Sequence, residues 1–128
     1  MQRFHGIDKH KLFSTISALN RDGVEVKFVP RCTDLAAYIS TLTPDDVVVM
    51  ETGAGTFYWS DRIELQGAQC FILDPRKFRI IKDSWNKTDK NDCRNMAKAL
   101  WVMWGDSKTL RKMSAYLGLV PRIKESGD

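Results

Sequence analysis

Cysteine is scarce in this chain and poorly placed for cross-linking. Cys32, Cys70 and Cys93 are the only three in 128 residues. Their odd number, wide separation and lack of CxxC or Cys/His spacing leave no disulfide framework and no metal-ligand pattern, so they read as reduced thiols. Histidine is scarcer still, with His5 and His10 alone. No apolar run approaches the roughly 18 residues that span a bilayer. The opening MQRFHGIDKHK has no apolar signal region. A cytoplasmic protein without a membrane partner is the expectation. No internal repeat or low-complexity segment is visible.

What is present describes a globular domain: 43% hydrophobic and 28% charged residues in a chain long enough to bury a core without disulfides or a structural metal. The net charge of +4 favours polyanionic partners. The distribution says more, because Arg76, Lys77, Arg79, Lys82, Lys87, Lys90 and Arg94 crowd one stretch, interrupted by Asp74, Asp83, Asp89 and Asp92. A charge run is usually a solvated face; the acids set among these bases suggest more.

The chain divides into short periodic elements. Arg3 to Ile7 reads as a strand ending in Gly6-Ile7-Asp8, and Leu12 to Leu19 as a second. Asn20-Arg21-Asp22-Gly23 is a turn signal, after which Val24 to Val29 alternates as a half-buried strand does. Thr33-Asp34-Leu35 opens a helix with an apolar stripe of Leu35, Ala36, Tyr38, Ile39 and Leu42. Val47 to Met50 is a buried strand closed by Glu51. Beyond the tight Gly53-Ala54-Gly55 turn, Phe57, Trp59, Ile63 and Leu65 are expected to line a helix. Cys70 to Leu73 is a further buried strand. Phe78, Ile80 and Ile81 suggest a short helix, and Thr88 to Trp104 a longer one. This order predicts an α/β domain with a mixed central sheet flanked by helices; it is also the element order of the ribonuclease-H-like fold.

Two carboxylates at the ends of apolar strands, Asp8 and Glu51, are costly to bury without a compensating cation. If their strands are neighbours, both emerge at the same edge. Asp89 and Asp92, at i and i+3 of a helix start, share a helix face. Each pair has a plain alternative, loop capping for the first and complementarity to the helix dipole for the second. Together they match what phosphodiester cutting needs: a cluster of hard oxygen ligands holding two Mg²⁺ (or Mn²⁺) ions roughly 3.5–4 Å apart. Arg76, Lys77, Lys87, Lys90 and Arg94 would then hold the phosphate backbone across the acidic pocket.

At these residues the chain resembles the DEDD transposases of the insertion-sequence 110 family, whose N-terminal domain is similar to RuvC resolvases and Piv-type DNA invertases. The resemblance rests on Gly6-Ile7-Asp8, Val49-Met50-Glu51-Thr52-Gly53, Asp74-Pro75 with Phe78, and Lys87-Thr88-Asp89-Lys90-Asn91-Asp92 with Met96-Ala97, in that order. It implies a RuvC-like catalytic domain over residues 1–105 and a metal-binding tetrad of Asp8, Glu51, Asp89 and Asp92. It further implies DNA as substrate, a guide RNA encoded by the element as a further partner, and a homo-oligomeric assembly. Ala115 to Arg122 with Ser126-Gly127 resembles the opening of the family's second domain, which would make 106–128 a helical tail and match Ser126 to that domain's attacking serine. Because the family places a long helical segment between its domains, the resemblance implies a truncated or internally deleted transposase. The apolar tail residues Leu110, Met113, Tyr116, Leu117, Leu119 and Val120 would then lack a core and seek a second copy of the chain.

Other readings exist. A His5-Asp8-His10 metal site is disfavoured because His5 and Asp8 point to opposite faces of a strand. Trp59, Trp85, Trp101 and Trp104 could stack on bases, but Trp101 and Trp104 sit at helical spacing with Leu100 and suit a core or interface better. A nucleic-acid-binding module without catalysis is the first rival function. A sugar-kinase or actin-like ATPase half, which also begins with a strand ending in Gly-x-Asp, is the second; the Asp89/Asp92 pair and the basic stretch fit it poorly.

Overall fold

The computed structural model describes residues 1–53, 55–76, 79, 90–105 and 120–121, the last two as backbone only. The sequence expectations for Ala54, Lys77, Phe78, Ile80, Ile81, Trp85, Lys87, Asp89 and Ser126, and for the apolar tail from Leu110 to Leu119, lie outside the described residues.

Three strands open the chain: β1 (Phe4–Lys9), β2 (Ser14–Leu19) and β3 (Glu25–Cys32). They form an antiparallel meander. The turn between β2 and β3 is built by Asn20, whose Oδ1 accepts the Asp22 and Val24 N–H groups at 2.9 and 3.0 Å, and by Gly23 at φ 79°. Helix α1 (Leu35–Ser40) follows, capped as expected by Asp34, whose carboxylate accepts the Ala37 N–H at 3.1 Å. Strand β4 (Val47–Glu51), helix α2 (Thr56–Leu65) and strand β5 (Gln69–Leu73) form a βαβ crossover. Helix α3 (Asp92–Trp104) and a two-residue strand β6 (Val120–Pro121) complete the described elements.

The strands assemble in the order β3-β2-β1-β4-β5-β6, with β1, β4 and β5 mutually parallel and the others antiparallel to their neighbours. This is an α/β architecture with a mixed sheet between helices. Side-chain alternation divides the sheet into two dry faces. Ile7, Ile16, Val48, Met50 and Cys70 face α1 and α2, together with Leu35, Tyr38, Ile39 and Ile63. Phe4, Leu19, Val47, Val49, Phe71 and Leu73 face α3, together with Met96, Ala97, Leu100 and Met103. Strands β4 and β5 therefore read as continuous apolar runs, since both of their faces are covered.

Several boundaries differ from the pattern-based expectation for physical reasons. Strand β2 starts at Ser14, because His10 N–H bonds the Phe13 carbonyl at 2.8 Å and closes a turn that leaves Leu12 75% exposed. Strand β3 runs on to Cys32 through Pro30, which an edge strand tolerates because its outward side needs no N–H. Helix α2 buries half of the expected stripe: Ile63 lies in the core and Trp59 packs against it. Thr56, Ser60 and Ile63 turn inward, whereas Phe57 and Leu65 are exposed. The i, i+4, i+7 spacing puts these two small residues and one isoleucine on one face of the helix. In the segment expected to be a helical tail, Val120 and Pro121 instead pair antiparallel with Ile72 and Phe71 at the β5 edge.

Helix α3 lies on β1 and β2 with its backbone against Gly6. A Cβ at Gly6 would overlap the Cys93 carbonyl oxygen and stand 2.8 Å from the Ala97 nitrogen. Only a missing side chain permits that approach. Gly6→Ala should therefore lever α3 off the sheet and cost about 1–3 kcal/mol, read as a lower urea midpoint. An unchanged midpoint would mean that α3 does not pack this closely.

Candidate active site

Asp8 and Glu51 stand at the C-terminal ends of adjacent parallel strands. The register pairs Ile7 with Met50, so Asp8 and Glu51 are the next residues along β1 and β4. Phe4 and Val47, paired in the same register, both belong to the core on the α3 side. Alternation by two then sends Asp8 and Glu51 to that same side. Thr15 pairs with Asp8 across β2, and Leu73 pairs with Glu51 across β5. Glu51 is half-buried, and the Asp8 side chain is 23% exposed. Both carboxylates thus sit at the rim of the sheet, where water or a cation can reach them.

The first turn of α3 comes down over this rim. Asn91 holds the N-cap position, and Asp92 is the first helical residue, half-buried. Cys93 is fully buried. Its thiol is pushed up to about 11, first by burial and next by the negative charge of Asp8, against the opposing pull of the Arg94 backbone N–H and guanidinium. The contact of the Cys93 backbone with Gly6, two residues before Asp8 on the same face of β1, brings the start of α3 to this strand end. Three members of the expected tetrad, Asp8, Glu51 and Asp92, thereby come from two strand ends and from the helix that packs over their face of the sheet; Asp89 lies outside the described residues. Among the described residues no group of three or more His, Cys, Asp or Glu side chains is gathered closely enough to hold a metal ion. The donor chemistry suits a hard divalent cation, since two of these carboxylates share one edge and one face.

The expected phosphate contacts divide. Arg76 is exposed and lies 3.9 Å from Asp74, and Lys90 is exposed. Arg94 is committed elsewhere. Its Nε and Nη2 donate to the two oxygens of Glu25 on β3 at 2.8 and 3.1 Å, and its guanidinium lies 3.9 Å over the Phe28 ring. Such a bidentate, stacked arginine ties α3 to the edge of the meander. Lys77 and Lys87 lie outside the described residues.

The histidines separate as strand alternation requires. His5 is buried on the α1 side, with Nδ1 2.8 Å from the Tyr38 hydroxyl and Nε2 2.9 Å from Asp46 Oδ1. Burial works to raise the Asp46 carboxyl, but hydrogen bonds from His5 and from the Thr43 N–H and hydroxyl prevail and hold it below its ordinary value. His10 behaves differently. Its Nε2 is 3.3 Å from Asp8 Oδ2, a pairing that sequence reasoning missed. The available signal was its position two residues beyond a strand-end acid, in a turn short enough to fold back. Trp101 and Trp104 pack against the α3-side core, Trp101 donating its indole N–H to the Arg21 carbonyl at 2.9 Å.

No protein-family model matches the chain, and comparison with curated proteins gives no match. Among the described residues, no helix is long and apolar enough to cross a membrane.

The Cys93 thiol reports on this geometry. Burial first, and the Asp8 charge next, push it up to about 11 from its ordinary 9.0. Its contribution to stability is therefore fully present below about pH 9 and is lost as pH rises toward 11. In a variant retaining only Cys93 (Cys32→Ser, Cys70→Ala), adding Asp8→Asn should lower the pKa seen in thiolate absorbance. An unchanged pKa would separate Asp8 from the first turn of α3.

Proposed function

We propose that this chain is the catalytic domain of a DEDD-type transposase or recombinase, with a ribonuclease-H-like, RuvC-like fold, that cuts and transfers DNA strands with Mg²⁺ or Mn²⁺. The observation that carries the reading is the placement of Asp8 and Glu51 side by side, on one sheet face, beside a helix that begins at Asp92. The strand order β3-β2-β1-β4-β5, with β1 central, supports it further. So does the resemblance of the motifs around Asp8, Glu51 and Asp89–Asp92 to the insertion-sequence 110 transposases.

In this reading Asp8, Glu51, Asp89 and Asp92 hold the metal ions, which supply an activated nucleophile and a stabilised leaving oxygen. The chain's own residues hold and orient the substrate. Lys90 at the start of α3 and Arg76 beyond β5 neutralise backbone phosphates beside the acidic rim, as would Lys77 and Lys87. Arg94 acts one step back, fixing α3 through Glu25 so that Asp92 keeps its place. Ser126 stands as the attacking serine of the family's second domain by resemblance alone. A guide RNA and a homo-oligomeric assembly belong to the same proposal.

A second reading, nucleic-acid binding without catalysis, is favoured by one observation: among the described residues no cluster of three potential ligands is closed. Incubation with branched or nicked DNA and Mg²⁺ or Mn²⁺ separates the two. Cleavage is expected, and Asp8→Asn or Glu51→Gln should each reduce it by about two orders of magnitude or more, the scale of losing several kcal/mol of metal-borne stabilisation. Cleavage that survives both substitutions would overturn the catalytic assignment. Binding without cleavage would leave the second reading.

DNA binding should also weaken with salt and show little sequence preference, because phosphate contacts carry no base information. Replacing Lys87 and Lys90 with glutamine should flatten the slope of log affinity against log salt by roughly 0.9 for each phosphate no longer neutralised. An unchanged slope would put the DNA-binding surface elsewhere.

A further inference from the structure

A cavity of about 200 Å³ opens at the end of β1, on the sheet face opposite α3 and around the strand end from the acidic rim. Its walls include the aromatic rings of Phe13 and Trp59, and Lys9 and Lys11 stand among its exposed lining residues. His10 joins the two sites. It lines the cavity while its Nε2 lies 3.3 Å from Asp8 Oδ2. One imidazole thus separates the cavity from a carboxylate of the candidate active site.

Size, shape and charge restrict what this space accepts. Pockets for drug-sized ligands span roughly 300–1,000 Å³, so this smaller cavity has room for a single ring system. The Phe13 ring is fixed by its neighbours, with the Arg31 guanidinium 4.5 Å from its centroid and the His10 ring 4.9 Å away, tilted at 41°. Trp59 is half-buried, packed against the α1- and α2-side core, and meets Tyr58 edge-on at 5.1 Å. Rings fixed in this way present flat surfaces at small entropic cost. The acid in the lining, Asp34, already accepts the Ala37 N–H as a helix cap. The remaining charge is cationic, from Lys9, Lys11 and the neighbouring Arg31, and complements a phosphate attached to the ring.

We propose that this cavity receives an unpaired nucleobase of single-stranded DNA, with its flanking phosphate on Lys9 and Lys11, and so positions the strand that runs toward Asp8. The proposal rests on the strand-cutting reading and adds to it a substrate form: DNA with unpaired nucleotides next to the cut. Fully paired duplex cannot offer a base to this pocket without unstacking it.

Photo-cross-linking tests it. A short oligothymidylate carrying one 5-iodo-deoxyuridine is irradiated with the full chain, and the cross-linked peptide is sequenced. The adduct is expected on Trp59, Phe13 or His10. On the unaltered protein, an abasic nucleotide at the same position, or a complementary strand, should weaken binding roughly tenfold, the scale of one base–aromatic stack. Trp59→Leu removes the flat ring but keeps an apolar side chain at the position, and Lys9→Gln with Lys11→Gln alters only exposed side chains. Both should weaken single-strand binding while leaving the thermal midpoint within a few degrees. Adducts confined to other residues, equal affinity for the abasic strand, tighter binding of oligouridylate, or no binding of single-stranded DNA would each overturn the proposal. Metal-dependent cleavage, assayed on the same protein, keeps the two readings apart. Cleavage with adducts elsewhere removes the pocket alone, and adducts in the pocket without cleavage remove the strand-cutting reading alone.

Discussion

The approach of the α3 backbone to Gly6 is the contact on which the rest of this structure depends. Side chains normally hold a helix away from the sheet it covers; here one missing side chain lets the Cys93 carbonyl and the Ala97 nitrogen come down onto β1. The contact fixes where α3 begins and therefore where Asp92 lies. It also brings the positive pole of the helix toward the edge where Asp8 and Glu51 emerge, which favours two carboxylates in a half-buried setting. Arg94 and Glu25 hold the same end from the other side, and Trp101 under the Gly23 turn holds the C-terminal end. The helix start is pinned to the meander by contacts with both β1 and β3.

Strand β1 carries two polar groups of opposite character, and their difference bears on function. At its buried N-terminal half, His5 is matched to Tyr38 on one nitrogen and to Asp46 on the other, and Asp46 spends its second oxygen on Thr43. Such a closed set contributes stability and geometry, because its hydrogen-bonding capacity is consumed within the fold. At the other end Asp8 keeps an exposed side, with a half-exposed histidine beside it. Chemistry requires a group that can still exchange partners. On that ground the polar cluster at the C-terminal edge of the sheet is the better candidate for a reaction.

Much of this arrangement was legible in the residues. The apolar runs Val47–Met50 and Cys70–Leu73, the Asn20–Gly23 turn and the Asp34 cap all follow from local rules and appear as expected. The alternation of β1 correctly assigned His5 and Asp8 to opposite faces. Less legible was whatever depends on partners distant in sequence. Phe57 and Leu65 look like core residues in isolation, and only the way α2 is turned on the sheet makes Thr56 and Ser60 inward-facing. Arg94 belongs to a basic run by sequence, yet a carboxylate 69 residues away claims it. The match between Asp8 and His10 likewise depended on the turn that folds His10 back, for which the two-residue spacing is only a local signal.

The edges of the sheet bear on self-association. Exposed edge strands invite pairing with another chain unless something blunts them. On one side β3 carries Pro30, which cannot donate, flanked by Lys27 and Arg31. Both are devices that discourage addition of a strand. On the other side, Val120 and Pro121 return to β5 and occupy the ladder positions opposite Ile72 and Phe71. A dimer built on the tail requires that this segment have no place on its own domain. For Val120 and Pro121 that premise does not hold, because their backbone completes the sheet in cis. A partner copy, if the assembly has one, must therefore engage a surface other than the β5 ladder, and the exposed Phe57, Tyr58 and Leu65 of α2 are the largest apolar side chains left facing solvent in that crossover.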